Sequence, residues 1–181
     1  MIRSSNAPTT GATEPADAPN PALAEAAQAA LAGEHAAVYG YGVAGAHLAD
    51  DEREAAREAL DAHRARRDAL TAQIDTMGTE PVAALAAYVL PFPVTDATTA
   101  RQLAGVIEQR LGPLYTDLVA AGSDPDVRAL AALAVVDTAV RATRWTGTTS
   151  AFPGLDGRPG APLPTPTPST ESTPSTTAPA P

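Results

Sequence analysis

The sequence predicts an all-α fold: an antiparallel four-helix bundle with one long crossover between the second and third helices, flanked by disordered tails. Three observations predict it. Apolar residues recur at spacings of three and four over four long segments, the signature of helices with one buried face. Forty-two of the 181 residues are alanine, the strongest helix former, and only seven are aromatic, so helices packed at close range are favoured. Two short links and one longer, proline-containing stretch separate the segments.

Residues 1–20 are rich in Pro, Thr, Ala and Asp without periodicity and read as a disordered tail. The first helix runs from about Pro21 to Ala49, with Asn20 as its cap and Pro21 suited to the first helical position. Its stripe is Leu23, Ala27, Leu31, Glu34, Val38, Tyr41, Gly45, Leu48. The second runs from about Asp51 to Met77, opens on acidic residues that favour the helix dipole, and carries the stripe Ala56, Leu60, His63, Arg67, Leu70, Ile74, Met77. The short link between them makes an antiparallel hairpin.

Residues 78–95 contain Pro81, Pro91 and Pro93 and are too long for a tight turn, so they form the crossover; the stretch VAALAAYVL within them is expected to be a short helix. The third helix begins after its cap Asp96 and ends near Ala121, with the stripe Leu103, Ile107, Arg110 or Leu111, Leu114, Leu118 and a kink expected at Pro113. Gly122, Ser123 and Asp124 make the next turn and Pro125 starts the fourth helix, whose stripe is Leu130, Leu133, Asp137, Val140, Arg144 and whose end is near Trp145 and Gly147. The following AFPGL is expected to fold back over the bundle end and bury Phe152 and Leu155. Residues 156–181, rich in Pro, Thr and Ser, read as an extended disordered tail, a glycosylated stalk being the alternative. The ordered domain is therefore residues 21–155, and one long crossover with two short links defines a ferritin-like bundle.

Composition excludes several function classes. A net charge of −9 gives no general attraction for phosphate backbones or anionic lipid, so neither nucleic acid nor a membrane is an expected partner. The cluster Arg64, Arg66, Arg67 reads as part solvated face and part core partner. The absence of cysteine removes disulfides, thiolate metal sites and thiol chemistry. The N-terminal residues have no apolar leader and the longest strongly apolar run, Val82 to Leu90, is far short of the ~20 residues that span a bilayer, so the expected location is cytoplasmic. The expected partner is an unidentified protein or a second copy, although no exposed apolar stripe stands out.

Candidate function lies in four ionisable residues near the helix midpoints: Glu34, His63, Glu108 and Asp137. Such side chains are rarely buried unless paired or bound to an ion. Counted from the first hairpin turn at 1.5 Å per residue, Glu34 lies ~24 Å away, His63 ~20 Å and Arg67 ~26 Å, so Glu34 can meet either. Glu108 and Asp137 match in height across the second hairpin. In one reading the four residues hold iron or manganese. In the other the carboxylates pair with Arg67, Arg110 and Arg141, a network that tolerates burial when bidentate and that disfavours a divalent ion. His35 and His47 face away from the Glu34 stripe. Gly40, Gly42 and Gly45 read as close packing around Tyr39 and Tyr41; a small-molecule pocket near Tyr39, Tyr41 and Tyr115 is a weaker reading. No phosphate loop, dinucleotide fingerprint, zincin motif or nucleophile elbow is present.

The segments EHAAVYGYGV (34–43), AHRARRDAL (62–70), YVLPFPV (88–94) and RWTGTTSAFPGL (144–155) resemble an actinobacterial ferritin-like domain family of unknown function, over about residues 21–155. The resemblance implies a ferritin-like bundle and little about activity. The wider superfamily carries a di-iron site built from one Glu on each of two helices and a Glu-x-x-His on each of the others. Here Glu34 matches the lone Glu of the first helix and His63 the His of the second, but Leu60 stands where its Glu belongs. Glu108 matches the third helix; Asp137 replaces the Glu of the fourth, and Val140 stands in place of its His. No Glu-x-x-His occurs anywhere in the chain. The expectation is a non-catalytic scaffold or interaction module with a degenerate site and no cofactor; the alternative is a metal-binding oxidative enzyme or iron-handling protein.

Overall fold

The computed structural model describes residues 20–151 and 154–155; most of the two expected tails, and Phe152, lie outside the described residues. Four helices account for the fold: α1 (Pro21–His47), α2 (Asp50–Thr76), α3 (Ala97–Ala121) and α4 (Pro125–Thr146). No strand occurs among the described residues.

Local chemistry sets the boundaries. Asn20 accepts hydrogen bonds from the amides of Ala22 and Leu23 and so starts α1. Asp96 and Thr99 form a reciprocal capping box at α3, Asp124 caps α4, and Gly147 ends α4 in the left-handed conformation that glycine adopts without strain. α3 continues unbroken through Pro113.

α1 packs on α2 and on α3, and α3 packs on α4. One end of the core joins Leu31, Leu70, Ile74, Leu111, Leu118 and Val127; the other joins Leu48, Ala56, Ala59, Leu103 and Trp145. These groupings make α1 antiparallel to α2 and to α3, and α3 antiparallel to α4. The chain must then return along the bundle between α2 and α3, and residues 78–95 do so.

The return is extended, not helical, which corrects the expected helix over VAALAAYVL. Its proline-bounded sequence alternates instead: Tyr88, Leu90, Phe92 and Val94 are half-buried while Val89, Pro91 and Pro93 are exposed. α1 supplies the polar partners this segment cannot supply itself. Gln28 donates to the carbonyl of Glu80 at 2.7 Å and accepts from the amide of Val82 at 2.8 Å. His35 Nε2 lies 3.0 Å from the carbonyl of Val82, and the Tyr39 and Tyr88 rings pack with centroids 5.5 Å apart. His35 is thus an anchor for the crossover, whereas His47 is exposed.

α4 presents the opposite face from the one its periodicity suggests. Val127, Ala131, Ala134, Thr138 and Trp145 are buried, whereas Leu130, Leu133, Asp137, Val140 and Arg144 are exposed. The large residues mark a genuine stripe, but small ones face the core because α3 and α4 lie close together. The chain after α4 does fold back, but along α3 and not over the bundle end: the Gly154 backbone lies 3.3 Å from where a side chain on the mid-helix Gly112 would begin, and Leu155 remains 48% exposed instead of being buried.

Replacing Gln28 with Ala removes both side-chain bonds to the crossover. The expected loss is on the order of 1 kcal/mol per bond at most, with faster hydrogen exchange at the Val82 amide while the helices stay protected. Unchanged exchange at Val82 would show that Gln28 does not hold the crossover.

Candidate functional site

Three of the four candidate residues meet in the middle of the bundle. Glu34 and His63 are fully buried and Glu108 is 1% exposed. Glu34 Oε2 lies 2.8 Å from His63 Nδ1, and Glu108 Oε1 lies 3.2 Å from His63 Nε2. Of the two partners that the hairpin height allowed, Glu34 takes His63 and not Arg67. Asp137 does not join them: its side chain is 54% exposed and pairs with Arg66 of α2.

The arginines also sort differently from expectation. Arg67 pairs with its neighbour Asp68 at the surface, and Arg110 is exposed. Arg66, 13% exposed, and Arg141 act electrostatically on tyrosines of the cluster, Tyr115 and Tyr41 respectively; each has a buried Nη1 without a hydrogen-bond partner. The carboxylates therefore pair with the imidazole, not with guanidinium groups.

Two tyrosines and the tryptophan complete the network. Tyr115 donates to Glu34 Oε1 at 2.5 Å, Tyr41 donates to Glu108 Oε1 at 2.5 Å, and Trp145 Nε1 donates to the Tyr41 hydroxyl at 2.9 Å. The Tyr41 ring also packs beside His63, centroids 5.0 Å apart. A sequence signal for this exists. Tyr41 follows Glu34 by seven residues, two helical turns, and Tyr115 follows Glu108 by seven. Because α1 and α3 are antiparallel, each tyrosine reaches the glutamate of the other helix. Gly33 and Gly40 hold the same register: a Cβ there would lie 2.7 Å from Leu114 and 2.6 Å from Ile107, so glycine lets α1 and α3 approach. Gly42 and Gly45 meet nothing within 4 Å and have no such role.

The protonation states follow from this geometry. Burial acts to lower the His63 pKa, but the hydrogen bonds and charges of Glu108 and Glu34 outweigh it and raise it above 6.5. With an acceptor oxygen on each side, both ring nitrogens carry protons and the ring is an imidazolium. Burial, with the neighbouring carboxylates, also raises the pKa of Tyr41 and Tyr115, so both hydroxyls remain protonated donors. Arg141 lies close enough to act on Tyr41, and Arg66 on Tyr115.

This donor set does not fit a di-iron centre. Each imidazole nitrogen faces a carboxylate as a donor and has no lone pair to give. Both oxygens of Glu34 are engaged, and Glu108 Oε2 is the one carboxylate oxygen of the cluster that is buried without a partner. Among the described residues no group of three or more His, Cys, Asp or Glu side chains is disposed to hold a metal. Glu108 also borders a cavity of about 670 Å³ between α3 and α4, walled by Gly112, Thr138, Thr143 and Thr148. Among the described residues no helix is long and apolar enough to cross a membrane.

The chain belongs to the family described as domain of unknown function (DUF4439), which matches residues 26–157. It is similar to the crystal structure of a conserved hypothetical protein, rv2844, from Mycobacterium tuberculosis, with 34% identity, 70% of this chain and 96% of that chain covered, and a TM-score of 0.68. No functionally curated protein matches it significantly.

His63→Gln leaves two buried carboxylates without their cation and is expected to cost about 3–5 kcal/mol, read by denaturant unfolding. Arg67→Ala, by contrast, should change stability by no more than about 0.5 kcal/mol. Equal effects of the two would contradict the pairing described.

The raised His63 pKa also has a sign. Its stabilisation is complete below the unfolded value of 6.5 and is lost as pH rises through the higher folded value. Melting temperature should therefore fall as pH rises above 6.5 in the wild type, and that slope should flatten in His63→Gln. A slope retained in full by the variant would assign it to other groups.

Proposed function

We propose that this protein is a non-catalytic ferritin-like bundle, a cytoplasmic scaffold or interaction module, in which an ion-pair and hydrogen-bond network occupies the place of the superfamily's metal site. The ferritin-like reading draws on helix order: two antiparallel hairpins joined by a crossover that runs the length of the bundle. The observation that carries the non-catalytic reading is His63 held between Glu34 and Glu108, with both ring nitrogens committed. An imidazolium neutralises one carboxylate charge from within, and tyrosine hydroxyls satisfy part of the rest. A divalent cation would have to displace the proton from His63 and compete with Arg66 and Arg141. The net charge of −9 supports a protein partner over a nucleic acid.

A second reading, an iron- or manganese-binding oxidative enzyme or iron-handling protein, draws on the unpartnered Oε2 of Glu108 and the cavity it borders. Metal analysis by mass spectrometry separates the two. On the first reading, protein purified without chelator and protein loaded anaerobically with Fe(II) both carry far less than one metal per chain, and chelator leaves the melting temperature unchanged. A stoichiometric metal that disappears in His63→Gln would establish the second reading instead.

A further inference from the structure

α4 carries an apolar stripe that no part of the described chain covers. Leu133, Val136 and Val140 are 68%, 60% and 63% exposed, and Ala129 is exposed on the same face. Their spacings of four, three and four residues place them in one line along the helix. Every residue from Ala129 to Val136 is Ala, Leu or Val. Contiguous exposed apolar surface of this kind marks an interaction site.

The geometry points to a second copy of this chain as the occupant, docked as an antiparallel α4–α4 pair about a two-fold axis between Leu133 and Val136. Such an axis makes the face its own complement. It sets Leu133 of one copy against Val136 of the other, and Ala129 against Val140, so a small residue receives a large one at each end. The charges agree with the same axis. Asp126 lies three residues before Ala129 and Arg144 four residues after Val140, both exposed on this face. The antiparallel pairing brings Asp126 of each copy beside Arg144 of the other, forming two ion pairs at the ends of the stripe.

Nearby charges are already directed elsewhere. Arg128 lays its stem over Gly122, and Asp137 is paired with Arg66. Antiparallel alignment also sets the helix dipoles in their favourable arrangement. The face is opposite the buried side of α4, so its pairing does not depend on the state of the His63 cluster. One helix pair buries a small area, so a dissociation constant in the micromolar range is expected.

Sedimentation velocity on the full chain, from low to high micromolar concentration, tests this. The wild type is expected to shift from monomer to dimer. Val136→Glu acts twice in a two-fold interface and should weaken the dimer at least about 100-fold, while circular dichroism shows an intact helical fold. Asp126→Arg should weaken it, and adding Arg144→Asp to that variant should restore it. A wild type that stays monomeric throughout, a Val136→Glu protein that still dimerises, or a double swap no better than the single one would each overturn the proposal.

Discussion

The imidazolium of His63 between two buried carboxylates is the interaction on which the rest of the structure depends. Three helices contribute to it: Glu34 from α1, His63 from α2 and Glu108 from α3. α4 joins through Trp145, whose indole bonds the tyrosine that bonds Glu108. Buried charges tolerate only one arrangement, because displacing any partner exposes another to an environment without water. An alanine-rich core has few shapes with which to distinguish one helix register from another. The polar cluster supplies that distinction, since a one-residue slip of α1 along α3 would break both crossed tyrosine–glutamate bonds.

Much of this was legible in the sequence, for identifiable reasons. Helix ends were legible because Asn20, Asp96, Asp124 and Pro125 act locally, through backbone amides within a few residues. The Glu34–His63 pairing came within reach because a short hairpin turn fixes relative height. The faces of α4 were not legible. Periodicity identifies a stripe without saying which side is inside, and in a closely spaced bundle alanine and threonine suit the interior better than leucine. Asp137 was misplaced by the same inversion: it shares a face with Leu133 and Val140, and that face is outside.

The crossover was misread because Ala-rich composition favours helix when it is considered alone. What competes with that propensity is long-range. Gln28 and His35, about fifty residues earlier, engage the backbone of Glu80 and Val82, and alternate side chains from Tyr88 to Val94 rest on the bundle. The tyrosine partners were overlooked for a related reason. The seven-residue spacing from each glutamate is visible on each helix separately, but its meaning appears only when α1 and α3 are set antiparallel.

These features rest on close helix approach at two helix pairs, α1–α3 and α3–α4. Gly33 and Gly40 bring α1 close to α3, and that proximity permits hydroxyl–carboxylate bonds as short as those of Tyr41 and Tyr115. The same proximity suits an interior in which small residues predominate. Close α3–α4 packing then places α4's larger residues outward. The buried cluster and the exposed stripe on α4 thus follow from close approach at two different helix pairs. Widening the α1–α3 contact would separate Glu34 from Glu108 across His63, whereas the outward face of α4 is set at the α3–α4 contact, where Gly105 meets Thr146 and Trp145 and Gly112 lies near Thr138.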